Sequence, residues 1–166
     1  QGGQATQAAA IYGVLEQAVA AGDAQKVKAA AGELSEKFGG TAYASLGAML
    51  AARQSFDNGD LKTAKAQLGW VAENGKNEFK DLARLRLVAI HLDEKAYDEA
   101  LAQLAKPHAT SFDGRFAELK GDVFSVQGNK AEAITAYKLA LEKLSEKAGA
   151  GRELLQQKLD HLGGAV

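Results

Sequence analysis

The sequence feature that most constrains the fold is a short helix-breaking element that recurs along the chain. GDAQKV (22–27), GDLKTA (59–64) and GNKAEA (128–133) each place a glycine and then Asp or Asn inside an otherwise helical pattern. A fourth copy, KAYDEA (95–100), keeps the spacing but has lysine instead of glycine. Successive copies begin 37, 36 and 33 residues apart, so the chain is expected to repeat one structural unit.

Each break is expected to join two antiparallel helices through a very short turn. A glycine just past a helix C-terminus adopts the left-handed conformation that satisfies the last free carbonyls, as expected for Gly22, Gly59 and Gly128. The Asp or Asn that follows can accept a hydrogen bond from the free amides of the second helix. In the last copy, Glu132 would complete a capping box with Asn129.

The third turn is expected to be built differently from the others. A left-handed backbone at Lys95 would cost about 1 kcal/mol or more, because a side chain crowds this conformation where glycine does not. The sequence therefore predicts three turns of one kind and one variant.

Small residues are predicted where the two helices of a pair cross. The residue five positions after each glycine, or after Lys95, should lie at the crossing, where a larger side chain would separate the helix axes. This position is occupied by Val27, Ala64, Ala100 and Ala133. On the first helix, the small residues Ala52 and Gly121 precede the glycine by seven positions and should face the partner.

The spacing predicts an all-α protein of four helix pairs, near 5–36, 42–73, 77–106 and 112–147, with a last helix at 152–162 that caps the stack. Its period is close to the 34 residues of tetratricopeptide repeats. One proline in 166 residues is compatible with this fold, and convincing alternating strand patterns are lacking. We expect residues 1–166 to form a single tetratricopeptide-like helical-hairpin solenoid domain.

Composition excludes several classes of function. The sequence has no cysteine, so a thiolate metal site, a thiol nucleophile and a disulfide are impossible. Twenty Lys and Arg against 21 Asp and Glu, interleaved along the chain, lack the basic footprint that phosphate-backbone binding requires. Phosphate-binding loops and nucleophile-elbow motifs do not occur in the sequence.

Candidate metal ligands are isolated or badly spaced. His91, His108 and His161 lie in different parts of the chain without a partner at ligand spacing; His91 is expected to pack and His108 to be a solvated loop residue. Asp57–Asp60 lacks the alternating acidic ligands of a calcium loop. We predict no catalytic residues, no cofactor and no metal, and therefore no enzyme activity.

The predicted functional surface is the concave face, which the first helix of each pair lines. Most of its positions in the second and third repeats are unexpectedly apolar. The positions are Leu46, Met49, Arg53 and Phe56 in the second repeat, and Leu82, Leu85, Arg86 and Ala89 in the third. One interpretation is ordinary core, buried by a tight superhelix or by the first helix folded across it. The other is a groove for a hydrophobic helix or extended segment, with Arg53 and Arg86 holding a carboxylate at its rim.

The chain resembles the periplasmic domain of the YfgM-like family, the ancillary subunit of the bacterial SecYEG translocon. The resemblance is carried by YASLGAMLAARQSFDNGDLKTAKAQL, LARLRLVAIHLDEKAYDEALAQL, FAELKGDVFSVQGNKAEAITAYKLAL and LLQQKLDHL, in this order. It covers about residues 8–162.

This resemblance implies a non-enzymatic protein-interaction module at the bacterial inner membrane, with this domain in the periplasm and with a transmembrane helix outside residues 1–166. It implies two partners, the SecYEG translocon and a PpiD-like periplasmic chaperone. The family has no catalytic residues to carry over, and a Lys/Asn clamp for a peptide terminus is not found here. The alternatives are a tetratricopeptide scaffold of an outer-membrane assembly lipoprotein and the helical part of a cell-wall-cleaving enzyme.

Overall fold

The structure, a computed structural model, describes residues 2–144 and 148–163, and all the regular secondary structure of these residues is helical. The helices are α1 (Gly2–Ala21), α2 (Ala24–Phe38), α3 (Ala42–Asp57), α4 (Leu61–Asn74), α5 (Phe79–Asp93), α6 (Tyr97–Leu104), α7 (Asp113–Val126), α8 (Lys130–Lys143) and α9 (Ala150–His161). A short 3-10 turn, Thr110–Phe112, precedes α7. The predicted all-α fold class is confirmed, and residues 145–147, at the end of the fourth predicted pair, lie outside the described residues.

The turns inside the hairpins have the predicted left-handed residue. Gly22, Gly59 and Gly128 have φ values of 70°, 79° and 82°. In the second turn, the Gly59 N–H donates to the Phe56 carbonyl at 2.9 Å and the Asp60 N–H donates to the Ser55 carbonyl at 2.8 Å. This pair of hydrogen bonds is the Schellman motif, which closes the C-terminal end of the first helix in the space of two residues.

The prediction of a different third turn was wrong. Lys95 has a φ of 60°, and the hydrogen bonds repeat those of the glycine turns: its N–H donates to Leu92 at 3.0 Å and the Ala96 N–H donates to His91 at 2.8 Å. The two hydrogen bonds stabilise the turn against the unfavourable backbone conformation. The strain that the sequence predicts at Lys95 is therefore present, but it does not change the turn.

Replacement of Lys95 by glycine is expected to raise the free energy of unfolding by about 1 kcal/mol, because glycine adopts this conformation without steric cost. Urea unfolding followed by circular dichroism measures the change. Lys62→Gly is the matched control, since Lys62 is also exposed but lies within α4, where glycine should destabilise by about 0.5–1 kcal/mol. Equal effects of the two replacements would contradict the role assigned to Lys95.

The N-terminal caps of the second helices agree with the prediction in two copies. Asp23 accepts from the Lys26 N–H at 3.1 Å, and Asp60 accepts from the Thr63 N–H at 3.2 Å. The hydrogen bonds from Thr63 lower the pKa of Asp60, which favours its ionised form. Asn129 makes no side-chain cap, so the predicted capping box is wrong there. A capping box also requires the Asn129 N–H to donate to Glu132, but this N–H donates to the Phe124 carbonyl at 2.8 Å.

The helix crossings are lined by the small residues that the spacing predicts. Ala64, Ala100 and Ala133 are fully buried, as is Val27 in the first hairpin. Ala52 and Gly121 are buried as well. The crossing residues therefore allow the two helices of each hairpin to approach closely.

The chain divides into two compact units, Gln1–Leu87 and Val88–Val166, with the division inside α5. In the first unit, α3 packs against α1, α2 and α4. Its core is a cluster built around Leu15, Val27 and Leu34, and the half-buried Trp70 packs against the same cluster. In the second unit, α7 packs against α6 and α8, and α9 packs against α8. The single domain expected over residues 1–166 stays a prediction.

Each joint between hairpins has a side chain that binds a carbonyl at or near the end of the preceding helix. At the first joint, the Thr41 hydroxyl donates to the Phe38 carbonyl at 2.7 Å. At the second, the Arg84 guanidinium donates to the Ala72 carbonyl at 2.8 Å. At the fourth, Arg152 donates to Leu141 at 2.7 Å and to Leu144 at 3.2 Å. These carbonyls are the acceptors that a helix C-terminus leaves free.

The third joint is held by His108, which corrects the prediction of a solvated loop residue. Its Nδ1 lies 3.1 Å from the Lys106 carbonyl and its Nε2 lies 2.9 Å from an Asp113 carboxylate oxygen. The ring stacks on Phe116 with 3.9 Å between centroids. The loop at this joint folds back onto α7, which brings the histidine against residues that follow it in the chain.

Candidate partner-binding surface

The orientation of α3 decides which of its side chains remain accessible. Thr41 caps the helix by accepting from the Ala44 N–H at 3.3 Å. Gly47 faces the first hairpin so closely that a Cβ atom there would lie 2.7 Å from a Leu34 methyl group and 3.0 Å from a Leu15 methyl group. The alanine-rich side of α3 is therefore fixed against α1 and α2.

Another side of α3 carries a row of exposed or half-buried apolar and cationic side chains, which we call the α3 strip: Leu46, Leu50, Arg53 and Phe56. Leu46 is 36 % exposed and Phe56 is 45 % exposed, although both are large and apolar. Arg53 is exposed, and Leu50 is half-buried against the core cluster of the first unit. Spacings of four, three and three residues keep the four side chains on one side of the helix.

A second row lies on α5 and has the same initial spacing. Leu82 is half-buried, and Arg86 and Ala89 are exposed. Ala89 belongs to the second unit, whereas Leu82 and Arg86 belong to the first. The helix is oriented by Arg84, whose side chain is 9 % exposed, binds α4 and lies 3.7 Å from the Asp81 carboxylate.

Met49 and Leu85 lie mainly in the core, and this limits their part in any surface. They are 7 % and 5 % exposed, so little of either side chain can reach a partner. The burial of Met49 and Leu85 agrees with the interpretation that these positions are ordinary core. The exposure of Leu46 and Phe56 agrees with the interpretation that they line a groove. The partner-binding role of the eight residues stays a proposal.

Glu118 and Asp122 on α7 form ion pairs with Lys158 on α9. The Lys158 ammonium lies 2.8 Å from Glu118 and 3.0 Å from Asp122. Burial lowers the pKa of Lys158, but hydrogen bonds to these two carboxylates outweigh it and raise that pKa overall. Lys158 lies 40 residues after Glu118 and 36 residues after Asp122 in the sequence, and no sequence motif predicts these ion pairs.

Two kinds of functional element are absent from the described part of the chain. Within residues 2–144 and 148–163, no group of three or more His, Asp or Glu residues is arranged to hold a metal ion. Across the same residues, no helix combines the length and apolar character needed to cross a bilayer. The α3 strip itself consists of three apolar side chains and one arginine.

Comparison with known proteins assigns the fold and the family. A family model described as "Tetratricopeptide repeat-like domain" matches residues 1–164. The chain is 35 % identical over 156 residues to a Neisseria gonorrhoeae protein named "Ancillary SecYEG translocon subunit", and the match covers 93 % of this chain and 74 % of that protein. This chain belongs to the family of ancillary SecYEG translocon subunits.

Two further members of this family have the same name. The Haemophilus influenzae protein is 28 % identical over 163 residues, covering 98 % of this chain and 78 % of its own length. The Escherichia coli protein is 27 % identical over 121 residues, covering 72 % of this chain and 58 % of its own length. No solved structure matches the chain significantly. The family assignment confirms the resemblance and the tetratricopeptide-like hairpin fold.

Proposed function

We propose that this family member is a non-enzymatic protein-interaction subunit of the Sec translocon that links the translocon to a PpiD-like periplasmic chaperone. The proposal places the protein at the bacterial inner membrane and this domain in the periplasm. It rests on one observation above all: Leu46 and Phe56 are large apolar side chains left exposed beside Arg53 on a helix whose other side is firmly packed.

The α3 strip is suited to an amphipathic partner helix with acidic residues next to its apolar side. The exposed parts of Leu46, Leu50 and Phe56 would be removed from water by such a helix, which is the main favourable term in most protein association. Arg53 would pair with a carboxylate, because its guanidinium can donate two parallel hydrogen bonds to one. Arg86 offers a second cation on α5.

A non-enzymatic role agrees with the family, because the named relatives are ancillary translocon subunits. The relatives' names also favour the translocon over the alternative of an outer-membrane assembly lipoprotein. The chaperone as partner rests on the family resemblance and on the apolar character of the α3 strip.

Charged replacements in the α3 strip test the proposal. Phe56→Asp and Leu46→Asp are each expected to weaken binding to the partner by at least about tenfold, or about 1.4 kcal/mol, because they bury an unpaired charge in an apolar contact. The affinity should be measured separately for purified SecYEG and for the chaperone, so that the loss can be assigned to one of them.

Leu139→Asp is the matched control, because Leu139 is also 45 % exposed but lies on α8, outside the α3 strip. It should leave both affinities unchanged. A photo-crosslinking residue at position 56 should capture the same partner that the Phe56→Asp variant loses. Equal losses for the control and the strip variants, or crosslinks only from position 139, would overturn the assignment of the surface.

A further inference from the structure

A half-open cavity of about 190 Å³ with a mixed polar and apolar lining lies in the first unit, between α2 and the turn that joins α3 to α4. Three helices and the turn contribute to its walls, and none of the α3 strip residues lines it. Its polar lining is rich in side-chain amides and hydroxyls: Gln25, Gln54, Ser55, Asn58, Thr63 and Gln67. Val27, Ala24 and the aliphatic parts of the longer side chains give the lining an apolar share at least as large as its polar share.

The amide side chains give the cavity both donors and acceptors. Each carboxamide has an oxygen that accepts and an NH₂ group that donates, which is the same combination as a main-chain peptide group. The Ser55 hydroxyl donates to the Gln67 oxygen at 3.0 Å, which ties one wall of the cavity to the other. That bond leaves the Gln67 NH₂ group and the lone pairs of the Ser55 oxygen as available donor and acceptor.

The charges at the cavity cancel. Lys28 on α2 and Asp60, the N-cap of α4, both line it; hydrogen bonds from Thr63 are the main cause of the lowered pKa of Asp60, and the positive charge of Lys28 adds to it. One cation facing one anion favours neither a phosphate nor a metal ion. A neutral ligand that offers hydrogen bonds of both kinds fits this lining better than a charged one.

We propose that this cavity binds main-chain amide groups of an extended polypeptide segment. A helix, with a diameter of about 10 Å and its main-chain groups already paired, could not use these donors and acceptors. The volume equals that of about six water molecules, at roughly 30 Å³ each, which is room for a short stretch of extended chain. Recognition through the main chain would be largely independent of side-chain sequence.

The site is independent of the function proposed for the α3 strip. Its ligand is extended main chain, whereas the α3 strip suits the apolar side of a helix. Charged replacements at Leu46 or Phe56 should therefore leave binding in the cavity unchanged, and failure of either proposal would not decide the other.

The test uses the whole chain labelled with ¹⁵N and the capped, uncharged peptide N-acetyl-Gly-Ser-Gly-Ser-amide. On titration to millimolar concentrations, the side-chain NH₂ resonances of Gln54 and Gln67 are expected to shift and saturate, as suits a weak site. An analogue in which N-methylglycine replaces each glycine should bind about fivefold more weakly or worse, because it has lost main-chain donors.

Gln54→Leu should weaken binding of the uncharged peptide by about tenfold, since it keeps the bulk of the side chain and removes its hydrogen bonds. Gln17→Leu, an exposed change on α1, should leave the affinity unaltered. Three results would overturn the proposal: equal affinities for the peptide and its methylated analogue, stronger shifts with acetate or phosphate than with the peptide, or no shift at all.

Discussion

Leu34→Ala is expected to lower the free energy of unfolding by about 3–4 kcal/mol, within the range found for leucine truncations in protein cores. Leu34 is fully buried in the core cluster of the first unit. Its loss would remove apolar contacts with α1 and α3 and leave a void that the surrounding helices can close only in part. Urea unfolding followed by circular dichroism measures the change.

Gly47 provides an internal check on this prediction. A Cβ atom at position 47 would lie 2.7 Å from a Leu34 methyl group, so Gly47→Ala alone should destabilise the folded chain. In the Leu34→Ala background the same change should lose most of its penalty, because the new methyl group enters the space that the leucine has vacated and only the 3.0 Å approach to Leu15 remains. If the changes in the free energy of unfolding caused by Leu34→Ala and Gly47→Ala simply added, α2 and α3 would not be in contact at these two positions.

Leu139→Ala is the control for the leucine truncation. Leu139 is 45 % exposed on α8, and its truncation should cost no more than about 0.5 kcal/mol. If Leu139→Ala lowered the free energy of unfolding as much as Leu34→Ala does, the effect of Leu34→Ala could not be attributed to the burial of Leu34.

Gly121→Ala is expected to lower the free energy of unfolding by about 2 kcal/mol. A Cβ atom at position 121 would lie 2.5 Å from two ring carbons of Tyr137, which is too close for either group to remain in place. The ring cannot move freely, because it is buried and its hydroxyl donates to Asp122 at 2.6 Å. Overpacking of about 3 kcal/mol, less about 1 kcal/mol of improved helix propensity, leaves this net loss.

Two comparisons isolate the steric cause of the Gly121 effect. Gly32→Ala places a methyl group on α2 with no atom within 4 Å, so it should stabilise by about 0.5–1 kcal/mol. Tyr137→Leu removes the ring, and in that background Gly121→Ala should lose most of its penalty. The idea fails if Gly121→Ala is as harmful without the ring as with it.

The hairpin turns and helix crossings could be predicted from the sequence because they depend on short-range contacts. The hydrogen bonds of each turn join residues no more than five positions apart, so the local sequence around the turn contains most of the required information. The same spacing located Ala64, Ala100 and Ala133 at the crossings. The capping box at Asn129 failed because main-chain hydrogen bonding, which competes with such caps, is invisible in the pattern.

The surface could be predicted only in part, because exposure depends on neighbours that lie far away in the sequence. Leu46 and Met49 are three residues apart on α3 and were predicted alike, yet one is exposed and the other is buried. The amide-lined cavity was not anticipated, since it brings together residues from 24 to 67 that share no motif.

By itself, the sequence determined an all-α chain of paired helices, the position of every hairpin turn and the small residues that let the helices cross. These features follow from hydrogen bonds and steric limits within a few residues of each turn. The tertiary structure decided that Lys95 keeps the left-handed turn, that His108 packs on Phe116 and that Lys158 engages Glu118 and Asp122. Those outcomes depend on which helix faces are packed together, and this is set by the burial of apolar surface over the whole of each unit.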